Sequence, residues 1–179
     1  PLSRRDIDHS EPALVLLGHI HVPTSQPPVH YPGSPCGLDI SETGPRSFLV
    51  LDTDNATVLS QSIRTEVIFV EERFVALPSD NEIERLKEEI ARRIDAWPIP
   101  AENRGTVRVR IEAAGYCTSR EAIRDVLQQG FSDFTCYDNG PLLDDLRVDA
   151  HPQLITLADR VRQQIDELDW NWGDGEPEP

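Results

Sequence analysis

The chain has 179 residues, with 17 Lys and Arg against 32 Asp and Glu and a formal net charge of −15. That is room for one ordinary domain with its own core, and it is too acidic for a generic nucleic-acid binder, whose affinity comes largely from neutralised phosphates. No run approaches the roughly 18 apolar residues of a membrane span, and Cys36, Cys117 and Cys136 are too few and too scattered for a zinc site or a disulfide framework, which suits a reduced, cytoplasmic protein. The opening Pro1-Leu2-Ser3 reads as a processed or partial start, and no secretory leader is recognised there.

Taken in chain order, residues 13–18 form a short apolar run expected to be a buried strand. Residues 22–37, rich in Pro and Ser, read as a loop. Three apolar runs, 46–53, 57–63 and 67–77, read as a meander of antiparallel strands, with Asp54-Asn55 turning between the first two. Ser79-Asp80-Asn81-Glu82 has the form of a capping box, with Ser79 as N-cap and Glu82 reaching back. Ile83, Leu86, Ile90 and Ile94 then mark one face of a helix that stops near Trp97-Pro98. Strict alternation over 106–112 predicts a half-buried strand. Thr118-Ser119-Arg120-Glu121 is a second capping box, opening a helix closed by Gly130. A strand near 132–137, a loop over 138–150, and a helix over 152–168 with Pro152 at its first position complete the pattern. The tail, 169–179, is acidic and expected to be disordered.

The sharpest chemical feature is Gly18-His19-Ile20-His21. In extended backbone the two histidines project to one side, and neutral imidazoles suit zinc, manganese and iron. A glycine before them would let the backbone approach a metal closely. An equally simple reading is two polar loop histidines. His30 is expected at the surface, and Cys117 and Cys136 in the core. Pro32-Gly33 fits the centre of a type II turn. Arg108 and Arg110 share the exposed side of one strand, where they could meet phosphates or pair with the many acids. Asp149-Ala150-His151 reads as a helix N-terminus rather than as a metal motif.

Context sharpens the histidine pair. The strings LLGHIHVP, YPGSP, LDISE and SFLVLD follow one another between residues 16 and 52. In that order they resemble SbcD-type exonucleases, calcineurin-like metallophosphoesterases that act with an SMC-like coiled-coil ATPase in double-strand-break repair. The resemblance spans about residues 13–77, and the α/β part beyond looks like that family's capping domain. It implies an α+β chain: the last strands of a metallophosphoesterase β-sandwich (1–66), a small α/β capping domain (67–140), a loop and C-terminal helix (141–168), and the tail (169–179).

On the resemblance, His19 and His21 are metal ligands, one to each of two Mn²⁺ ions, and Tyr31, Gly33, Ser34, Arg108 and Arg110 lie near DNA. Leu154, Leu157, Val161 and Ile165 form a face that either packs on its own domain or docks on the coiled-coil ATPase. A homodimer would form through a part of the family not represented here. No membrane partner is implied, and the location is cytoplasmic. The chain departs from the family in one respect. The earlier motifs, Asp-x-His, Gly-Asp-x-x-Asp, Gly-Asn-His-Asp/Glu and a lone His, are missing from the 17 residues before Gly18. Two imidazoles without bridging carboxylate do not hold two such ions. The chain alone is therefore expected to be inactive, with no catalytic residue assigned and the ions not held. The intact parent would be a manganese-dependent DNA exonuclease. The alternatives are a non-catalytic capping module that engages DNA or the ATPase, and a phosphoesterase acting on small esters.

Overall fold

The computed structural model describes residues 14–149 and 151–167, together with Arg5, leaving aside some side chains of the last helix. The architecture is mixed α+β. The first unit is a small sheet. β1 (Val15–Leu16) runs parallel to β3 (Val29–Tyr31), and β2 (Thr24–Gln26) lies antiparallel on the other side of β3. Residues 22–37 are therefore not all loop. Thr24–Gln26 carries no apolar residue and is followed by Pro27-Pro28, so no period marked it as a strand.

β4 (Arg46–Asp52) and β5 (Thr57–Ile63) form an antiparallel hairpin. Its turn is tied by the Asp52 carboxylate, which accepts from the Asp54 and Asn55 amides and from Asn55 Nδ2. β6 (Ile68–Ala76) does not extend this hairpin into a meander. It pairs in parallel with β7 (Val107–Cys117) along its whole length. The reason lies in its neighbours: β5 offers Ser60, Gln61 and Ser62, whereas β7 offers Val107, Val109 and Ile111, whose burial with Ile68, Val70 and Phe74 makes one core.

α1 (Glu82–Ala96) crosses from β6 to β7, and α2 (Arg120–Gly130) crosses from β7 to β8 (Thr135–Cys136). β9 (Leu146–Val148) pairs farther along the same edge of β7 as β8, again in parallel. Strands added in sequence order by right-handed crossovers place both helices on one face. Leu86 and Ile90 of α1, and Ile123, Val126 and Leu127 of α2, fill the core there. Each such side chain contributes about 1.5–3 kcal/mol on burial. At one end Trp97 stacks on Phe131 and meets Phe134 edge-on. Its indole N–H and Arg93 both donate to the buried Glu72 carboxylate, at 2.6 and 3.0 Å. Those two donors compensate a charge that would otherwise be costly to bury.

Both helix starts differ from the capping boxes. The first helix is entered from Asn81, with no side-chain cap, and Glu82 instead turns across to the next crossover. There its buried carboxylate accepts from the Thr118 amide and hydroxyl. The second N-cap is Ser119, one residue later than expected, and it accepts from the Ala122 amide. The Ser79 hydroxyl, itself buried, donates to Asn81 Oδ1 at 3.1 Å instead of capping the helix. Gly130 does end α2, and there a Cβ would lie 2.9 Å from Ile90 Cγ2, so the small residue sets how closely the helices approach. Residues 138–150 are not wholly loop, since β9 and a bridge from Leu142 to Glu112 lie within them. The last helix, α3, spans Pro152–Glu167. The tail 169–179 lies outside the described residues.

Because Glu82 serves Thr118 rather than its own helix, Glu82→Ala and Thr118→Ala should be coupled. A double-mutant cycle by urea denaturation is expected to give an interaction energy of about 0.5–3 kcal/mol. A capping box would leave the two sites additive.

Candidate metal centre

The Gly18-His19-Ile20-His21 segment leaves β1 and turns back toward β2. It is not extended as the spacing argument assumed: His19 has φ +76°, a left-handed value uncommon for a residue with a Cβ. His19 is exposed, and a Cβ at Gly18 would meet open space, so nothing among the described residues requires glycine there.

His21 is held much more closely. Its carbonyl accepts from the Ser34 amide at 3.0 Å and from Arg46 Nη1 at 3.1 Å. Its ring Nδ1 lies 2.5 Å from Glu42 Oε1. The second carboxylate oxygen of Glu42 accepts from Ser34 Oγ at 3.0 Å and from the Leu38 amide at 3.3 Å. Arg46 also donates to the Glu42 carbonyl, and its guanidinium stands 3.7 Å from that second carboxylate oxygen. Arg46 is 2% exposed. The hydrogen bond from His21, then those from Ser34 and Leu38, outweigh desolvation and hold the Glu42 carboxyl below its ordinary value.

Gly33 completes the clamp. It has φ +80°, which glycine adopts freely, but Tyr31–Ser34 is not the hydrogen-bonded turn expected, since the Ser34 amide donates to the His21 carbonyl. A Cβ there would lie 2.7 Å from Pro23 Cγ and 2.9 Å from the His21 carbonyl. Tyr31 closes β3 opposite Thr24. His30, expected at the surface, is 7% exposed, with Nδ1 2.7 Å from Ser25 Oγ. It occupies the middle strand of the small sheet, where alternation alone left its side undecided.

The loop bearing Glu42 pairs with the free edge of β6 in the larger sheet, and its Gly37 lies against the Phe69 ring on the face opposite the helices. The Gly44 amide donates to the Phe69 carbonyl at 2.8 Å, and Thr43 bridges Phe69. Arg110 lies on that face as well, donating to Asp138 at 3.0 Å and lying over the Tyr137 ring. Arg108 is exposed. The site residues thus fall into two groups: His21, Gly33 and Ser34 are brought together, while Arg108 and Arg110 belong to the larger sheet. On α3, Leu157 and Val161 are exposed, and the side chains of Leu154 and Ile165 lie outside the description.

Glu42 and Arg46 were not singled out from the sequence. Glu42 stands in the LDISE string, and only its spacing from His21 could have flagged it. Arg46 opens an apolar run and looks like its solvated end. Among the described residues no group of three or more His, Cys, Asp or Glu could hold a metal ion. No helix among them is long and apolar enough to cross a membrane. No protein-family model and no curated protein matches the chain.

Two outcomes follow. With its folded pKa lowered, the Glu42 carboxylate contributes stability that is complete above the ordinary carboxylate range and lost as pH falls through the lowered value. Wild type should therefore lose stability across that acid window, and Glu42→Gln should flatten this part of a pH series of melting curves. At position 19, Val should cost about 1–2 kcal/mol, because a β-branched residue tolerates left-handed backbone poorly. Gly there should cost little or nothing, as read by the same denaturation.

Proposed function

We propose that this chain is the C-terminal region of the nuclease subunit of an SbcCD-type DNA repair complex. The intact protein would be a manganese-dependent exonuclease that hydrolyses phosphodiester bonds. The observation that carries the reading is the organisation around His21. The strings that resemble the family, GHIH, YPGSP and LDISE, follow one another within residues 18–42 and are folded back onto one imidazole and its carbonyl. A pair of polar loop histidines has no need of a buried arginine, an engaged carboxylate and a close-packed glycine behind it.

The donor set suits the metal in part. His19 is exposed and His21 is half open, 51% of its side chain being accessible, so both can offer imidazole nitrogen. The carboxylate donors would have to come from outside the described residues. When bound, two Mn²⁺ ions would clamp a phosphodiester and activate a water for in-line attack. This chain's contribution is to orient the imidazoles and to hold the Tyr31–Ser34 loop beside them, near DNA. The hairpin β4–β5 supports membership of a larger sheet, since Phe48, Val50, Leu51 and Leu59 are exposed on it.

The α/β unit would then be the cap that positions substrate, with Arg108 as its free cation nearest the phosphates and Arg110 committed to Asp138. Leu157 and Val161 on α3, continued by Leu154 and Ile165 in sequence, would dock on the coiled-coil ATPase. The partners are therefore that ATPase, DNA and a second copy through the rest of the protein, in the cytoplasm. The incomplete donor set favours one alternative, a non-catalytic capping module that binds DNA or the ATPase.

The reading frame upstream of the Pro1 codon should encode Asp-x-His, Gly-Asp-x-x-Asp and Gly-Asn-His, in that order. Its full product should digest linear duplex DNA with Mn²⁺. His19→Ala should lower that rate by more than the roughly 10–100-fold that loss of an outer partner of a ligand costs. An upstream frame without these motifs, or digestion indifferent to His19→Ala, overturns the proposal.

A further inference from the structure

We propose that Glu42 is the positioning residue of this centre: it fixes the His21 imidazole in the Nδ1–H tautomer and leaves the Nε2 lone pair as the ligand atom. The inference rests on the metal reading of His21 and names which nitrogen serves it. An ionised carboxylate only accepts, so the 2.5 Å contact requires Nδ1 to donate. A hydrogen bond to one ring nitrogen decides the role of the other, and a carboxylate behind an imidazole is the common way a ligand histidine is oriented.

Glu42 is itself immobilised. Its other oxygen is taken by Ser34 Oγ and the Leu38 amide, its side chain is only 11% exposed, and Arg46 holds its carbonyl. The ring is thus pinned through Nδ1 while its backbone is pinned through the carbonyl, and half its surface stays open. His30 provides a contrast within the same small sheet. Its Nδ1 partner is the Ser25 hydroxyl, which can donate or accept, so no tautomer is imposed there.

The test reads the ring directly. In the ¹⁵N-labelled chain, a long-range ¹H–¹⁵N correlation spectrum reports which nitrogen of each neutral histidine bears the proton, and His21→Ala identifies the signals. Wild-type His21 should carry its proton on Nδ1, and Glu42→Ala should move it predominantly to Nε2, as in an unconstrained histidine side chain. His30 signals and the Gly33 and Gly44 amides check that the loop persists. If Glu42→Ala displaces them, Glu42→Gln replaces it. Its amide can accept or donate, so a mixture of tautomers is expected there, and the wild-type ratio would overturn the proposal. A wild-type proton on Nε2, or an unchanged tautomer in an intact Glu42→Ala, also overturns it.

In the full product, Glu42→Ala should raise the Mn²⁺ concentration for half-maximal digestion by about 10–100-fold. The tautomer measurement needs neither metal nor activity, so the two failures separate. A fixed Nδ1–H tautomer with digestion indifferent to His19→Ala removes the metal reading and leaves the control of the ring by Glu42 standing. An Nε2–H tautomer in an enzyme that needs His19 does the reverse.

Discussion

The guanidinium of Arg46 is the constraint around which the histidine centre is arranged. A positive charge this deeply buried needs compensation by hydrogen bonds and a counter-charge. It finds two carbonyls, those of His21 and Glu42, and the Glu42 carboxylate beside them. Only a planar fork reaches two carbonyls on separate segments at once, so a lysine ammonium on a flexible stem is not its equivalent. Satisfying this one side chain brings the turn after β1 and the loop before β4 together, 25 residues apart in sequence. With the carbonyl of His21 and the backbone of Glu42 both placed, the contact between their side chains becomes a consequence of the backbone.

The same loop is mounted on the larger sheet. Phe69, on the face of β6 away from the helices, gives its carbonyl to the Gly44 amide and meets Tyr137 edge-on. A Cβ on Gly37 would lie 2.9 Å from the Phe69 ring, so the loop and the strand are in direct contact. The helices fill one face of the sheet with aliphatic and aromatic packing. The other face carries the loop and cross-strand charge pairs such as Arg73 with Glu112. The parallel β6–β7 pair thus separates a dry side that provides stability from a polar side where the Glu42 loop is attached.

What could be read in the sequence follows from where physical periodicity is strong. α1 was legible because Leu86 and Ile90 fall on a face that the core needs, and α2 because Ser119 and Gly130 bound it. β7 was legible from Val107, Val109 and Ile111, although alternation ends at Ala113 and the strand continues to Cys117. The pairing of β6 was not legible, because its apolar run says nothing about the direction of its neighbour. β2 and β9 are three residues long and hold their places by pairing with β3 and β7, a non-local effect with no local pattern, whereas β8 falls inside the strand expected near 132–137. In the site, GHIH and the Pro32-Gly33 pair stood out through residue type, although the turn expected there is not formed. Arg46 and Glu82 were hidden because their roles depend on burial, which charged residues rarely advertise.

The hairpin β4–β5 also bears on how the chain behaves in solution. Val50 and Leu59 face each other across the pair, with Phe48 two residues along, and all three are exposed. A two-stranded ribbon is marginal by itself, and exposed apolar strands are templates for pairing with another copy. The net charge of −15 opposes such encounters through mutual repulsion between chains. That repulsion reaches about 10 Å at 0.1 M salt and about 3 Å at 1 M. The free chain should therefore resist self-association in dilute buffer and become self-adhesive through this ribbon as salt rises.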